Sequence, residues 1–259
     1  MATVEQVQER HVDRAGLAYE VRDGRERLAR FDRVARMYRA MEYASFGPAL
    51  EQCRFCWIPE LTRRQRALVL GDGDGRFVSK LLEAAPQLRA DAVDGSPAML
   101  RLLRRRVAGA GNEERLTTVC ADARGLAPPG SGYDLVATHF FLDCLTEAEA
   151  DALIARVRPH LSPGARWVVS EFEVARGGAL QRWLSRGIVS GLYAAFRVLT
   201  GLRVRRIPPW RVLLESHGFV RVGSRTWLGG LLVAEVWELE WATASGMDAP
   251  NRSSFPVLP

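Results

Sequence analysis

The run Gly71-Asp72-Gly73-Asp74-Gly75 constrains this chain more than any other feature. It follows Ala67-Leu68-Val69-Leu70, a short apolar run that reads as a buried strand. It precedes Arg76 to Ala85, which reads as a helix stopped by Pro86. Glycines at such a turn permit left-handed backbone and let a ligand approach the main chain. The helix beyond offers free N–H groups at its start. The spacing is GxGxG. The dinucleotide fingerprint GxGxxG would need a third glycine where Arg76 stands. Alone, the turn is weak evidence; its surroundings decide what it means.

Those surroundings alternate strand and helix. Leu88 to Val93 reads as a second strand. Ser96 then caps a helix with Pro97 at its first position, and Gly109 and Gly111 end it. Leu116 to Cys120 and Tyr133 to Thr138 read as further strands. Thr146-Glu147-Ala148-Glu149 is a capping box, and Ala165 to Ser170 a fifth strand. The alternation predicts βαβ crossovers and a parallel sheet covered on both faces. Pro208 and Pro209 begin another helix, closed by Gly218, and Phe219 to Val222 and Leu231 to Leu239 predict an antiparallel pair. The expected architecture is α/β: a Rossmann-like, seven-stranded, mostly parallel sheet with an antiparallel last strand and helices on both faces. Residues 1–60 are expected to form a helical cap and 61–243 the ligand-binding domain. A helical insertion is expected at about 174–207, and a Ser/Pro/Asn-rich, disordered tail at 244–259.

Charge and composition narrow the classes less. The net charge is +6, carried almost wholly by Arg, with Lys80 the one lysine. A basic balance can favour anionic partners, but it speaks to association rather than to fold. No Arg cluster is interleaved with aromatic residues as a single-strand platform needs, so nucleic acid is not an expected partner. The four cysteines include Cys53 and Cys56 in a CxxC, without a second pair or His pair at zinc spacing, so no metal is expected. The polar N-terminus has no apolar h-region, and the cytoplasm is the expected location.

Asp94 ends the second strand, inside Val93-Asp94-Gly95-Ser96-Pro97-Ala98-Met99-Leu100. An acid there can accept hydrogen bonds from both hydroxyls of a ribose. With this residue the chain resembles the class I S-adenosylmethionine (SAM)-dependent methyltransferases from about Leu68 to Leu239. The resemblance rests on the glycine turn, the Asp94 segment, Cys120-Ala121-Asp122-Ala123, Tyr133-Asp134-Leu135-Val136 and Leu161-Ser162-Pro163-Gly164-Ala165. It implies SAM as cofactor, with S-adenosylhomocysteine as product. Gly71, Gly73 and Gly75 would approach the methionine part, and Asp94, beside Gly95 and Ser96, would hold the ribose. Asp122 with Ala123 would contact the adenine amino group, and Thr138 and His139 would face the methyl group or the acceptor. The family often has an acid two residues before the first glycine. Val69 stands there, so either the methionine-end contact is lost or Asp72 or Asp74 substitutes. Looser matches at Phe31 to Tyr38 and Phe196 to Leu202 resemble the ubiquinone/menaquinone-type enzymes and bias the acceptor toward a small apolar molecule.

Methyl transfer from a sulfonium is an in-line displacement in which the protein chiefly positions the partners. His139 is the first candidate base, since it lies at a strand's C-terminal end and His titrates in the useful range. Asp143 could orient His139 or cap a helix, and Glu171 is a second candidate. Tyr38, Tyr43 and Phe140 could close over the acceptor. The insertion places Leu184, Ile188, Leu192, Phe196 and Leu199 near one helical face. It would serve as packing or as a lid, and peripheral contact with a lipid surface is a further option. A small-molecule methyltransferase is the expected function. The alternative is a SAM-fold protein that binds without catalysis, and an NAD-dependent oxidoreductase is disfavoured by the GxGxG spacing. The sequence leaves open the oligomeric state and which atom is methylated.

Overall fold

A computed structural model describes residues 11–12, 18–19, 48–125, 127–173 and 208–240. Nine strands form one sheet: β1 (His11–Val12), β2 (Ala18–Tyr19), β3 (Arg66–Leu70), β4 (Arg89–Asp94), β5 (Leu116–Cys120), β6 (Tyr133–His139), β7 (Leu161–Phe172), β8 (Phe219–Trp227) and β9 (Leu232–Leu239). Their order is β1-β2-β5-β4-β3-β6-β7-β9-β8. Strands β5, β4, β3, β6 and β7 are parallel, and β9 inserts antiparallel between β7 and β8. This is the expected seven-stranded Rossmann-like sheet with its antiparallel last strand.

Two differences stand beside that agreement. Strands β1 and β2 form an antiparallel pair, and β2 joins the edge of β5 at Val119 and Cys120. The sequence reading gave residues 1–60 no strand, because two-residue strands are too short to leave an alternation. Strand β7 also begins at Leu161, earlier than expected, and β8 runs on to Trp227.

The helices are α1 (Ala49–Phe55), α2 (Ile58–Leu61), α3 (Arg76–Ala84), α4 (Pro97–Gly109), α5 (Glu147–Val157) and α6 (Trp210–Ser216). Period-two alternation divides the sheet's side chains between two cores. Ala67, Val69, Leu135, Ala137 and Val168 pack against Phe77, Leu81, Leu100 and Leu103 of α3 and α4. Leu68, Leu70, Val136, Trp167 and Val169 pack on the other side against Leu153, Ile154, Trp210 and Leu214 of α5 and α6. Both predicted caps form: Ser96 Oγ accepts from Met99 N at 3.3 Å, and Thr146 and Glu149 complete the capping box. Helix α1 packs its Ala49, Leu50 and Cys53 on Phe140, Phe172 and Leu232, above the C-terminal ends of β6 and β7. Tyr38, Tyr43, the insertion, the tail and both stretches that resembled ubiquinone-type enzymes lie outside the described residues.

Candidate active site

All three glycines of the turn have positive φ: +68° at Gly71, +61° at Gly73 and +79° at Gly75. Packing requires the outer two. A Cβ on Gly71 would lie 2.3 Å from the Phe141 ring, and one on Gly75 2.5 Å from Leu103. A Cβ on Gly73 would meet only Met99 Sδ, at 3.9 Å. The middle of the turn therefore faces uncrowded space, as a ligand cradle must. The Gly71 N–H donates to the Val93 carbonyl at 2.9 Å, which ties the turn to the end of β4.

Asp94 sits across from this opening. Its Oδ2 accepts from Gly73 N at 3.2 Å and its Oδ1 from Ser96 N at 2.8 Å. A carboxylate oxygen has two lone pairs and can accept more than one hydrogen bond. The carboxylate and the turn thus bound a common space, and their donor and acceptor set fits a nucleoside diol beside open backbone.

The other acids of the turn have different work. Asp72 is buried, and its oxygens accept from Phe77 N at 3.3 Å and Val78 N at 2.9 Å. It caps α3 from outside, because Gly75 occupies the cap position without a side chain. Burial pushes its carboxyl up to about 6, against the opposing charge of Arg54. Asp74 accepts from Arg106 at 2.8 Å and Arg76 at 3.4 Å, pinning the turn to α4. Val69, where the family often has an acid, is itself a core residue of β3. Asp122 is paired with Arg124 through both oxygens, at 2.6 Å for the closest contact, while Ala123 is buried.

At the end of β6, strand parity separates two expected partners. Thr138 accepts from Trp167 Nε1 at 3.0 Å, inside the core beneath α5 and α6. That placement corrects the expectation that it faces the methyl group: neighbouring strand residues point to opposite faces, and His139 takes the other one. His139 is buried, its ring centroid is 4.2 Å from that of Phe77, and its Nδ1 is 2.8 Å from Ser170 Oγ. Its Nε2 is buried and has no hydrogen-bond partner among the described residues. Since Nδ1 meets Ser170, Asp143 does not orient the ring through a hydrogen bond. Burial first, and then the Arg54 charge, hold His139 well below the usual imidazole range. It is neutral at physiological pH.

Glu171 serves the loop after β6. Its Oε1 accepts from Phe141 N at 3.1 Å and Leu142 N at 2.8 Å, and burial followed by the charge of Asp143 pushes the carboxyl well up. Its Oε2 is buried without a hydrogen-bond partner among the described residues. Phe140 begins the same loop in a left-handed conformation, φ +54°, with its ring 5.0 Å from that of Phe172 and the Arg54 guanidinium 5.5 Å away. A non-glycine residue in that region costs about 1–3 kcal/mol, and such strain clusters at functional sites. Sequence reasoning missed Arg54, Phe77 and Ser170. For Ser170 the available signal was its place at the C-terminal end of an apolar strand run.

The neutral His139 has a measurable consequence. As the pH falls through 6.5 the unfolded chain takes up a proton at this residue before the native chain does, so acidification destabilises the fold. One such proton is worth about 1.4 kcal/mol per pH unit. Asp72 and Glu171 act with the opposite sign, because the native state keeps their protons at pH values where the unfolded state has lost them. The difference between wild type and His139→Gln isolates the histidine. The variant is expected to lose less stability on acidification below pH 6.5, read by denaturant titration at several pH values. Parallel curves would show that the native His139 titrates normally.

The sheet order, the glycine turn and the acid at the end of β4 define the Rossmann-like architecture of class I methyltransferases. A family model described as a methyltransferase domain matches residues 67–164, the segment that holds the turn, Asp94, Asp122 and His139. Over that segment the chain is similar to methyltransferase domains, and its fold is the one those enzymes share. It is similar to the 3-amino-4-hydroxybenzoate 4-O-methyltransferase of Streptomyces cremeus, at 28% identity over 173 residues, covering 64% of this chain and 44% of that one. Among solved structures it is similar to the mitomycin 7-O-methyltransferase MmcR, with TM-score 0.60, 15% identity, and coverage of 82% of this chain and 60% of that one. It is also similar to the SAM-dependent methyltransferase SibL, with TM-score 0.58, 25% identity, and coverage of 79% and 58%. The chain thus spans about half the length of these relatives. No helix among the described residues is long and apolar enough to cross a membrane.

Proposed function

We propose that this chain binds SAM and methylates a small, apolar or aromatic acceptor. The observation that carries this reading is the Asp94 carboxylate, 3.2 Å from the Gly73 amide at the rim of the glycine turn. Asp94 would hold the ribose diol, and the backbone at Gly71 and Gly73 would meet the methionine end. Asp122 and Ala123 would border the adenine. When bound, SAM supplies a sulfonium methyl group: the bond from sulfur to the methyl carbon breaks as the acceptor bond forms, and the electron pair stays on sulfur.

The chain's own residues supply position and a place for a proton. The loop from Phe140 to Asp143, tied down by Glu171, fixes the wall beside His139. His139 would accept the acceptor's proton at Nε2 and release it to water. Phe140 and Phe172, whose ring centroids lie 5.0 Å apart, would border the acceptor. The named aromatic and mitomycin O-methyltransferases support a small aromatic acceptor methylated at oxygen. Isothermal titration with SAM and S-adenosylhomocysteine, followed by mass spectrometry of a panel of phenols incubated with SAM, tests the proposal. Micromolar binding and a mass gain of one methyl group on at least one phenol are expected. Absence of binding by both nucleosides would end the reading.

A further inference from the structure

Ser170 of β7 lies in register with His139 of β6. Its Oγ is 2.8 Å from His139 Nδ1 and 3.3 Å from the Cys53 carbonyl oxygen on α1. Serine has one hydrogen to donate. A carbonyl can only accept, so that hydrogen goes to Cys53 O, and the Oγ lone pair receives Nδ1–H. In the reverse arrangement, the Ser170 and Cys53 oxygens would face each other lone pair to lone pair. It would also leave an N–H buried at Nε2 without an acceptor, and orphaned buried N–H groups are rarer than under-satisfied acceptors. The hydrogen-bond chain therefore assigns the proton to Nδ1 and leaves a bare lone pair at Nε2. That atom is buried and without a hydrogen-bond partner among the described residues. An unmet buried acceptor costs stability and calls for an explanation.

We propose that Ser170, backed by the Cys53 carbonyl, is a positioning residue that locks His139 in its Nδ1–H tautomer and so reserves Nε2 for the O–H of the acceptor substrate. This rests on the reading of His139 given above. The chemistry selects a substrate class. A neutral imidazole with a lone pair at Nε2 rewards an acceptor that brings a proton, such as a phenol, and gives nothing to an ether or a tertiary amine. The phenol proton passes to Nε2, its oxygen takes the methyl group, and the proton then leaves to solvent. The relay reaches α1, so the helix that packs over the strand ends also sets the ring's protonation pattern.

The tautomer can be read without any turnover. Nitrogen-15 NMR of the imidazole rings separates Nδ1–H from Nε2–H, and with four histidines in the chain a His139→Gln sample assigns the signal. The expected result in the cofactor-free protein is a protonated Nδ1 and a bare Nε2. Ser170→Ala is expected to abolish that preference. It should also lower kcat for a phenol roughly tenfold, with the KM for the phenol and the affinity for S-adenosylhomocysteine little changed, the size expected for one lost hydrogen bond. Ser170→Thr, which keeps the hydroxyl, should restore the tautomer and most of the rate. An Nε2–H tautomer in the wild type, or an unchanged tautomer in Ser170→Ala, would overturn the proposal. Failure of the wild type to bind either nucleoside would instead overturn the methyltransferase reading, and the NMR result would show that the relay itself had not failed.

Discussion

Asp94→Ala is expected to weaken S-adenosylhomocysteine binding by about 100-fold. The carboxylate already accepts from Gly73 N and Ser96 N, which hold both oxygens at the mouth of the turn. Two ribose hydroxyls would add one charge-assisted hydrogen bond to each oxygen, and bonds of that kind are worth about 1.5–3 kcal/mol apiece. Losing both costs about 3 kcal/mol, which is about two decades in Kd. Asp94→Asn keeps one acceptor oxygen and loses the charge, so it should fall between wild type and alanine. Isothermal titration checks the series. A melting curve on each variant separates loss of binding from collapse of the turn, since the same oxygens anchor two backbone amides. A change of less than threefold for Asp94→Ala would mean that the diol is held by other residues.

The parts of this site that were legible in the sequence are those whose determinants are local. A glycine turn between a strand and a helix, a capped helix start and an acid closing a strand each depend on a few consecutive residues. Asp72 shows the limit. Its reach forward to Phe77 and Val78 depends on the positive φ of the intervening glycines, which composition does not display. Thr138 and His139 were both expected in the site, yet adjacent strand residues cannot share a face. Parity alone would have excluded one of them, and the core contact with Trp167 shows which. Ser170 was missed for another reason. Its contact with His139 is set by the pairing register of two strands separated by a whole crossover helix, and register is a property of the folded sheet.

The least legible interaction is expected to have the largest effect on stability: Arg211→Ala should destabilise the fold by about 3 kcal/mol. Arg211 on α6 donates through Nε to both oxygens of Glu235, at 3.0 and 3.1 Å, and through Nη1 and Nη2 to Glu173, at 2.9 Å each. Its guanidinium also lies 4.5 Å from the Trp210 ring. Glu235 is only 1% exposed, on the central antiparallel strand β9. Breaking a buried pair by removing one partner costs about 3–5 kcal/mol, because a charge is left buried without its counter-ion. The lower end applies here, since Arg221 at 3.1 Å and Trp237 Nε1 at 3.2 Å remain bonded to Glu235. The network spans the last described residue before the insertion, the helix after it and the sheet, which is why no local pattern announces it. Urea unfolding should show a lower midpoint with an unchanged slope. The double variant Arg211→Met with Glu235→Gln tests the cause, because it removes both charges while keeping bulk and an acceptor for Trp237. If the single variant suffers from a buried charge that Arg221 compensates only in part, the double variant recovers most of the loss. If it suffers only from lost packing and lost contacts to Glu173, the double variant is no more stable than the single one.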